Sequence, residues 1–255
     1  MTFLTVETAA GVATVVIDRP PANAVNPELI EEFLEVVPKL SEDPAVRCIV
    51  LTGVGRFFIA GADIAVMRDL SLDNHVKMRR WIEVQRLLEL APKPVVAALN
   101  GHALGGGAEL SLACDLRIAA ASASFGFPEM QLGLFPGAGG SQRLPRLLGL
   151  HRAKLLMIEG RRLTAAEAFN LGLVDEVVPD DEFAEVVAVR AGELAAKPTA
   201  TIGLLKTSML EGAPLDMDGA MAVEWAAVQR VIASEDAAEG LQSFLDKRKP
   251  EFRGR

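Results

Sequence analysis

Two glutamates and two short glycine-bearing loops are the residues of this chain whose types and spacing suit chemistry. Gly105, Gly106 and Gly107 follow an apolar, strand-like run and open the segment GGGAELSLACD. Three successive glycines admit unusual dihedrals and let a ligand approach the backbone closely. Amides at the start of the helix that follows lack intrahelical acceptors and sit at the positive end of its dipole. Such amides can hold an oxyanion as it develops. A second loop, Ala60-Gly61-Ala62-Asp63-Ile64, follows another strand and a Phe57-Phe58 pair. Oxyanion holes commonly take one donor from each of two loops, which makes Ala62 and Gly106 the candidate donors. Glu109 falls in the first turn of the helix that Gly106 opens, among apolar residues. Burial there raises a carboxyl pKa and lets it exchange protons near neutral pH. Glu129, in FGFPEMQLGL, has a similar glycine- and proline-bounded apolar setting. Two such carboxyls invite a paired acid and base.

Other chemistries lack their residues. A dinucleotide fingerprint on Gly105 and Gly107 needs glycine where Leu110 stands, and one on Gly137 and Gly139 needs it at Gln142. No phosphate-binding G-x-x-x-x-G-K-[ST] occurs, and a nucleophile elbow on Gly139 and Ser141 fails at Arg143. His75, His102 and His151 are scattered and no C-x-x-C pair exists, so no metal site is expected. Cys48 and Cys114 read as buried, reduced thiols. The chain has 255 residues, half of them hydrophobic, and a net charge of −8. That composition excludes disorder, and the acidic balance argues against nucleic acid as a partner. The first residues lack a basic segment followed by an apolar one, and apolar runs fall short of the ~20 residues of a membrane span. A reducing cytoplasm without membrane attachment is the expected setting.

The elements that must position these loops alternate strand and helix. Residues 13–19 read as a strand, and Asn26-Pro27 as the cap and first turn of a helix reaching about Leu40, with Leu29, Phe33, Val36 and Val37 on one face. The runs 46–53, 94–100 and 116–120 read as further strands, the first nearly continuous in apolar residues, as buried parallel strands are. Residues 76–91 read as one helix. After about residue 142 strand signals nearly vanish, apart from 174–178. Helices are expected over 151–158, 164–170, 181–196, 199–210, 215–233 and 236–247, with Thr164 and Glu167 forming a capping box. An α/β part followed by a helical part is the expected organisation, without internal repeats.

AGADI, KPVVAALNGHALGGGAEL, ASFGFPEMQLGLFPGAGGSQRLPRLLG and the late EGLQSFLDKRKPEF together resemble the enoyl-CoA hydratase/isomerase, or crotonase, family. The likeness spans the chain and is most specific over 94–149. It implies an α/β fold, a crotonase-like spiral of ββα units, with residues 1–195 forming the core and thioester site and 196–255 a helical trimerisation region. It implies a homotrimer or homohexamer acting on acyl-CoA in fatty-acid or related acyl-CoA degradation. Motif positions put the oxyanion hole at Ala62 and Gly106 and the catalytic pair at Glu109 and Glu129. The pair favours an enoyl-CoA hydratase, a lyase making 3-hydroxyacyl-CoA; Δ3-Δ2-enoyl-CoA isomerisation is the alternative. Ala60, Gly61, Asp63, Ile64 and Gly105 are expected substrate contacts, with Arg19 and Lys247 or Lys249 meeting the coenzyme phosphates. Met67, Leu70, Trp81 and Phe135 are expected to line the acyl pocket. No cofactor is implied beyond the coenzyme A that the substrate carries.

Overall fold

After an opening hairpin, strands leave this chain in pairs whose two members go to different sheets. The computed structural model describes residues 2–69 and 71–255. It opens with a hairpin of β1 (Leu4–Ala9) and β2 (Val12–Ile17), followed by α1 (Pro27–Glu42). Three strand pairs come next, each followed by helix: β3 (Cys48–Gly53) and β4 (Phe57–Ile59), then α2 (Ile64–Met67), α3 (Leu72–Arg79) and α4 (Trp81–Leu90); β5 (Val95–Leu99) and β6 (His102–Leu104), then α5 (Gly106–Leu112); β7 (Leu116–Ala120) and β8 (Ser124–Gly126), then a 3-10 turn over Pro128–Leu132, α6 (Gly140–Leu148) and α7 (Leu150–Glu159). The chain continues through β9 (Arg162–Thr164), α8 (Ala165–Asn170), β10 (Glu176–Val178) and α9 (Phe183–Ala195). It ends in α10 (Thr199–Gly212), α11 (Met217–Ile232) and α12 (Glu235–Leu245).

The first strand of each pair joins a six-stranded sheet of order β1-β2-β3-β5-β7-β10, and the second joins a four-stranded sheet of order β4-β6-β8-β9. Only the outer pairs β1-β2 and β8-β9 are antiparallel. The large sheet is covered on both faces. Ile49, Leu51, Val95, Ala97 and Leu99 enter the main core with Leu29, Ile30 and Phe33 of α1. Alternate residues Cys48, Val50, Val96 and Ala98 pack against Val187, Ala191 and Ala195 of α9. Burial on both faces is why the 46–53 run shows no polar alternation. Asn26 caps α1 by accepting from the Leu29 amide, and Thr164 with Glu167 completes the expected capping box on α8.

Several elements differ from the sequence reading. The helix expected over 76–91 is two helices that break at Arg80. Strands β4, β6, β8 and β9 were not expected: at three residues each they are too short to show a two-residue alternation. The last of them also places a strand in the region read as almost wholly helical. The repeating strand–strand–helix unit therefore has no counterpart as a sequence repeat. Helix α6, inside PGAGGSQRLPRLLG, was also not anticipated. The expected domain boundary after residue 195 lies between α9 and α10. Both cysteines are free and buried, and burial pushes both thiols up to about 12. Among the described residues, no helix is long and apolar enough to cross a membrane.

Candidate active site

Three parallel neighbours of the small sheet, β4, β6 and β8, end at one edge. Each delivers one loop of the site from its carboxyl end, where open α/β sheets hold their ligands. After Ile59 comes Ala60–Ile64, after Leu104 comes Gly105–Gly107, and after Gly126 comes the turn bearing Glu129. Ile59 pairs with Ala103, so the first two loops emerge side by side. A Cβ built on Gly61 would lie 3.8 Å from the Gly106 nitrogen.

The Ala62 and Gly106 amides have no acceptor among the described residues. Val25 bridges to Ala62 as in a parallel ladder: its N–H donates to Gly61 O, and its carbonyl accepts from Asp63 N. That pattern uses the neighbours of Ala62 and turns the Ala62 amide the other way. Gly106 is the first residue of α5, whose opening amides have no acceptor within the helix. Its carbonyl accepts from Trp81 Nε1 at 3.0 Å, and the Trp81 ring stands edge-on to Phe33, so the loop is tied to α4 and the core. Gly105 has φ +51°, and a Cβ there would sit 2.7 Å from Glu129 Oε1. Backbone conformation and space both call for glycine at that position.

The two carboxyls differ in how they are held. Glu109, in the first turn of α5, is 3% exposed. Its Oε1 accepts from the Ala138 and Gly140 amides, each at 2.8 Å. Burial pushes its pKa up, more than those two amides and the Arg143 charge pull it down. Glu129 has a buried Oε2 without a hydrogen-bond partner among the described residues. Burial, reinforced by the neighbouring Glu109, raises it to about 7 against the pull of its own backbone amide. One carboxyl is thus anchored through one oxygen, and the other is poised to exchange a proton at neutral pH.

Both face a cavity of about 450 Å³. Of the expected site residues, the structure brings Ala60, Gly61, Ala62, Ile64, Met67, Trp81, Gly105, Gly106, Glu109, Glu129 and Phe135 to its wall. Leu70 lies outside the described residues. Arg19, Asp63 and Lys247 do not line the cavity. Arg19 donates to Asp63 at 2.7 Å and to the Ala24 carbonyl, and Asp63 caps α2 through the Ala65 amide. Burial opposes the Asp63 charge, but Arg19 and the loop amides outweigh it and hold the carboxyl below its ordinary value. Lys247 follows α12, at the other end of the chain. Sequence reasoning missed the α3 wall of His75, Met78 and Arg79, as well as Leu132 and Leu134. It also missed the amides that anchor Glu109. The glycine-rich PGAGG before a helix was the available signal for those amides, since it has the same form as the Gly105–Gly107 loop. His102, beside that loop in sequence, packs edge-on to Phe57 and bonds Ser124 Oγ outside the cavity.

The model of the enoyl-CoA hydratase/isomerase family matches residues 7–255. The chain belongs to that family. The crotonyl-CoA hydratase of Syntrophomonas wolfei is 44% identical over 243 residues, covering 94% of each chain. The short-chain-enoyl-CoA hydratase of Clostridium acetobutylicum is 39% identical over 246 residues, 94% of this chain and 93% of that one. The crystal structure of an enoyl-CoA hydratase from Bacillus anthracis superposes over 100% of both chains with a TM-score of 0.94 at 38% identity. As a member of the enoyl-CoA hydratase/isomerase family the chain has the α/β spiral of strand–strand–helix units that the resemblance implied. The three parallel strand ends that deliver the site are the ends of its successive turns.

Proposed function

We infer that the protein is an enoyl-CoA hydratase, a hydro-lyase that adds water across the C2–C3 double bond of a trans-2-enoyl-CoA. The observation that carries this is the pairing, in one cavity, of a Glu109 anchored through Oε1 with a Glu129 whose buried Oε2 has no partner among the described residues, beside the free Ala62 and Gly106 amides. The Ala62 and Gly106 amides receive the thioester oxygen, where negative charge collects as the enolate forms. Losing one such donor costs on the order of 3–4 kcal/mol. Glu109 keeps Oε1 on the loop amides and turns its other oxygen to a water molecule. It takes one proton as the water oxygen bonds C3. Glu129 gives its proton to C2 as the enolate collapses to the thioester. Proton transfer from Glu109 back to Glu129 restores the site. The reaction adds one water and moves no electrons to an acceptor, so the coenzyme A of the substrate is the sole cofactor it calls for. Both carboxyl positions are filled, as hydration requires and isomerisation does not.

The same reading assigns Arg19 to fixing the Ala60–Ile64 loop through Asp63, and Met67, Trp81 and Phe135 to the acyl wall. It divides the chain into a catalytic core, 1–195, and an assembly region, 196–255. The assembly is a homotrimer or a pair of trimers. Helix α11 buries none of its residues within the chain, and Met217, Met221, Trp225 and Ile232 on it are exposed. Exposed apolar surface on this scale suits a subunit interface. The reading places this activity in acyl-CoA degradation in the cytoplasm.

Crotonyl-CoA is the first substrate to test, since relatives are named for crotonyl-CoA and for short-chain enoyl-CoA. Loss of the conjugated thioester's ultraviolet absorbance should be rapid with the native protein. Glu109→Gln and Glu129→Gln should each slow it by about 10²- to 10⁴-fold. Wild-type rates in both variants would overturn the assignment.

A further inference from the structure

The loop that holds Glu109 cannot hold itself. Pro136-Gly137-Ala138-Gly139-Gly140 contains three glycines, which lose more conformational freedom on ordering than any other residue. Yet its Ala138 and Gly140 amides must stay 2.8 Å from Glu109 Oε1 for the carboxyl to keep its aim. The fixed point lies on the first turn of α6. Arg143 Nη1 donates to Gln85 Oε1 at 2.6 Å and more weakly to the Ala138 carbonyl at 3.4 Å, while Nε donates to Glu89 Oε1 at 2.7 Å. The Arg143 amide also closes on Gly139 O at 2.8 Å. One planar guanidinium therefore joins the loop to two acceptors on α4.

Those acceptors share a face with another site contact. Trp81, Gln85 and Glu89 recur every four residues on α4, which places them in one row along the helix. Trp81 holds the Gly106 carbonyl, and Gln85 and Glu89 hold Arg143. Gln85 is fully buried, and both Arg143 and Glu89 are largely so. The same row of α4 thus sets the glycine loop and, through Arg143, the amides that fix Glu109.

We propose that Arg143 is a positioning residue for hydration, clamping the Glu109-binding loop to the α4 row through Gln85 and Glu89. This rests on the assignment of Glu109 as a catalytic base. A lysine there keeps the charge but lacks the fork that reaches both acceptors at fixed geometry. Displacing a catalytic group by about 1 Å can cost on the order of 10²-fold in rate.

The test compares Arg143→Lys, Gln85→Met and a control, Arg86→Ala, whose side chain pairs weakly with Glu89 at 3.5 Å from an exposed position. Each is measured for kcat, KM and the pH dependence of kcat/KM on crotonyl-CoA, with Glu109→Gln in parallel and thermal melting as the check on folding. Arg143→Lys should lower kcat by about tenfold to a hundredfold with KM within about threefold, and Arg86→Ala should stay within about twofold. The acidic limb of kcat/KM should move to higher pH in Arg143→Lys, because loosened amides favour the ionised carboxylate less. The titratable and charged groups around Glu109 are Glu129 from the 3-10 turn and Arg143 from α6, with His75 and Arg79 of α3 lining the same cavity; Arg143→Lys leaves the other three in place. A folded Arg143→Lys with native kcat and an unmoved limb overturns the proposal, as does a loss confined to KM. If Arg143→Lys does not fold, Gln85→Met, which keeps the ion pair with Glu89, decides by the same two readouts. Full activity in Glu109→Gln would instead remove the underlying assignment, and the proposal with it.

Discussion

Glu129 is a costly residue for the fold, and the proposed mechanism gives it the proton for C2. Its carboxyl is held at about 7, so the folded protein keeps the proton to a higher pH than the unfolded chain does. Ionising it in place leaves a charge in a pocket where Oε2 has no partner. For a raised carboxyl, the favourable contribution is complete below its unfolded value and is lost as pH rises towards 7. Glu129→Gln removes the charge and keeps the shape. The variant should melt a few degrees above the native protein at pH 8 and near it at pH 4, while losing hydration; equal melting at both pH values would contradict the burial argument. In the proposed mechanism Glu129 enters protonated, so kcat/KM should fall as pH rises through about 7, which a pH series on crotonyl-CoA reads directly. A stability gain bought at the expense of activity is the expected pattern for a strained catalytic group.

Two glycines separate packing from positioning at the level of elements. A Cβ on Gly107 would collide with the backbone carbonyl of Ile59, so α5 cannot lie against β4 with any larger residue there. Gly107→Ala should cost about 1–3 kcal/mol of stability, seen as a lower denaturation midpoint, because a backbone atom cannot step aside. A Cβ on Gly140 meets Glu109 Oε1 at 2.9 Å and Pro136 Cβ at 3.0 Å instead. Gly140→Ala should therefore cost less stability than Gly107→Ala and lower kcat, since the Glu109 side chain, proposed as the base, must move with Pro136. The reverse pairing of effects would place the Glu109 anchor elsewhere. The strand ends explain why these contacts are so close: β4, β6 and β8 are adjacent and parallel, and their loops leave on one side.

At the scale of the molecule, the chain carries a well-covered core and an uncovered carboxyl-terminal region. The large sheet is buried on both faces, whereas Trp225 is 60% exposed and Phe244 82%. Lys206 of α10 fastens this region to the core, donating to Asp115 at 2.7 Å and to the Lys93 carbonyl at 3.0 Å. If the proposed trimer or hexamer forms through α11, Trp225→Glu should leave this attachment intact and shift the protein to a monomer. Light scattering during size-exclusion chromatography gives the mass directly. An unchanged mass would move the interface off α11.

What the sequence determined by itself was local in origin. The Asn26 and Thr164 caps, the buried run of β3 and the glycine turn before Glu109 each follow from neighbouring residues. The two glutamates and the two loops could be picked out because glycine next to a helix start, and a carboxyl among apolar residues, are legible in a short window. Only the tertiary structure decided the rest. Strands of three residues are defined by their partners, not by their own pattern, so the small sheet that aligns the loops was invisible. The anchoring of Glu109 by Ala138 and Gly140, and the link from Arg143 to Gln85 and Glu89, join residues that lie far apart along the chain. Arg19 read as a cation for phosphate because its charge is visible in sequence, while its ion pair with Asp63 is made by folding alone. Charge and chemistry are written residue by residue, but which groups meet is set by the register of parallel strands and the packing of helices across them.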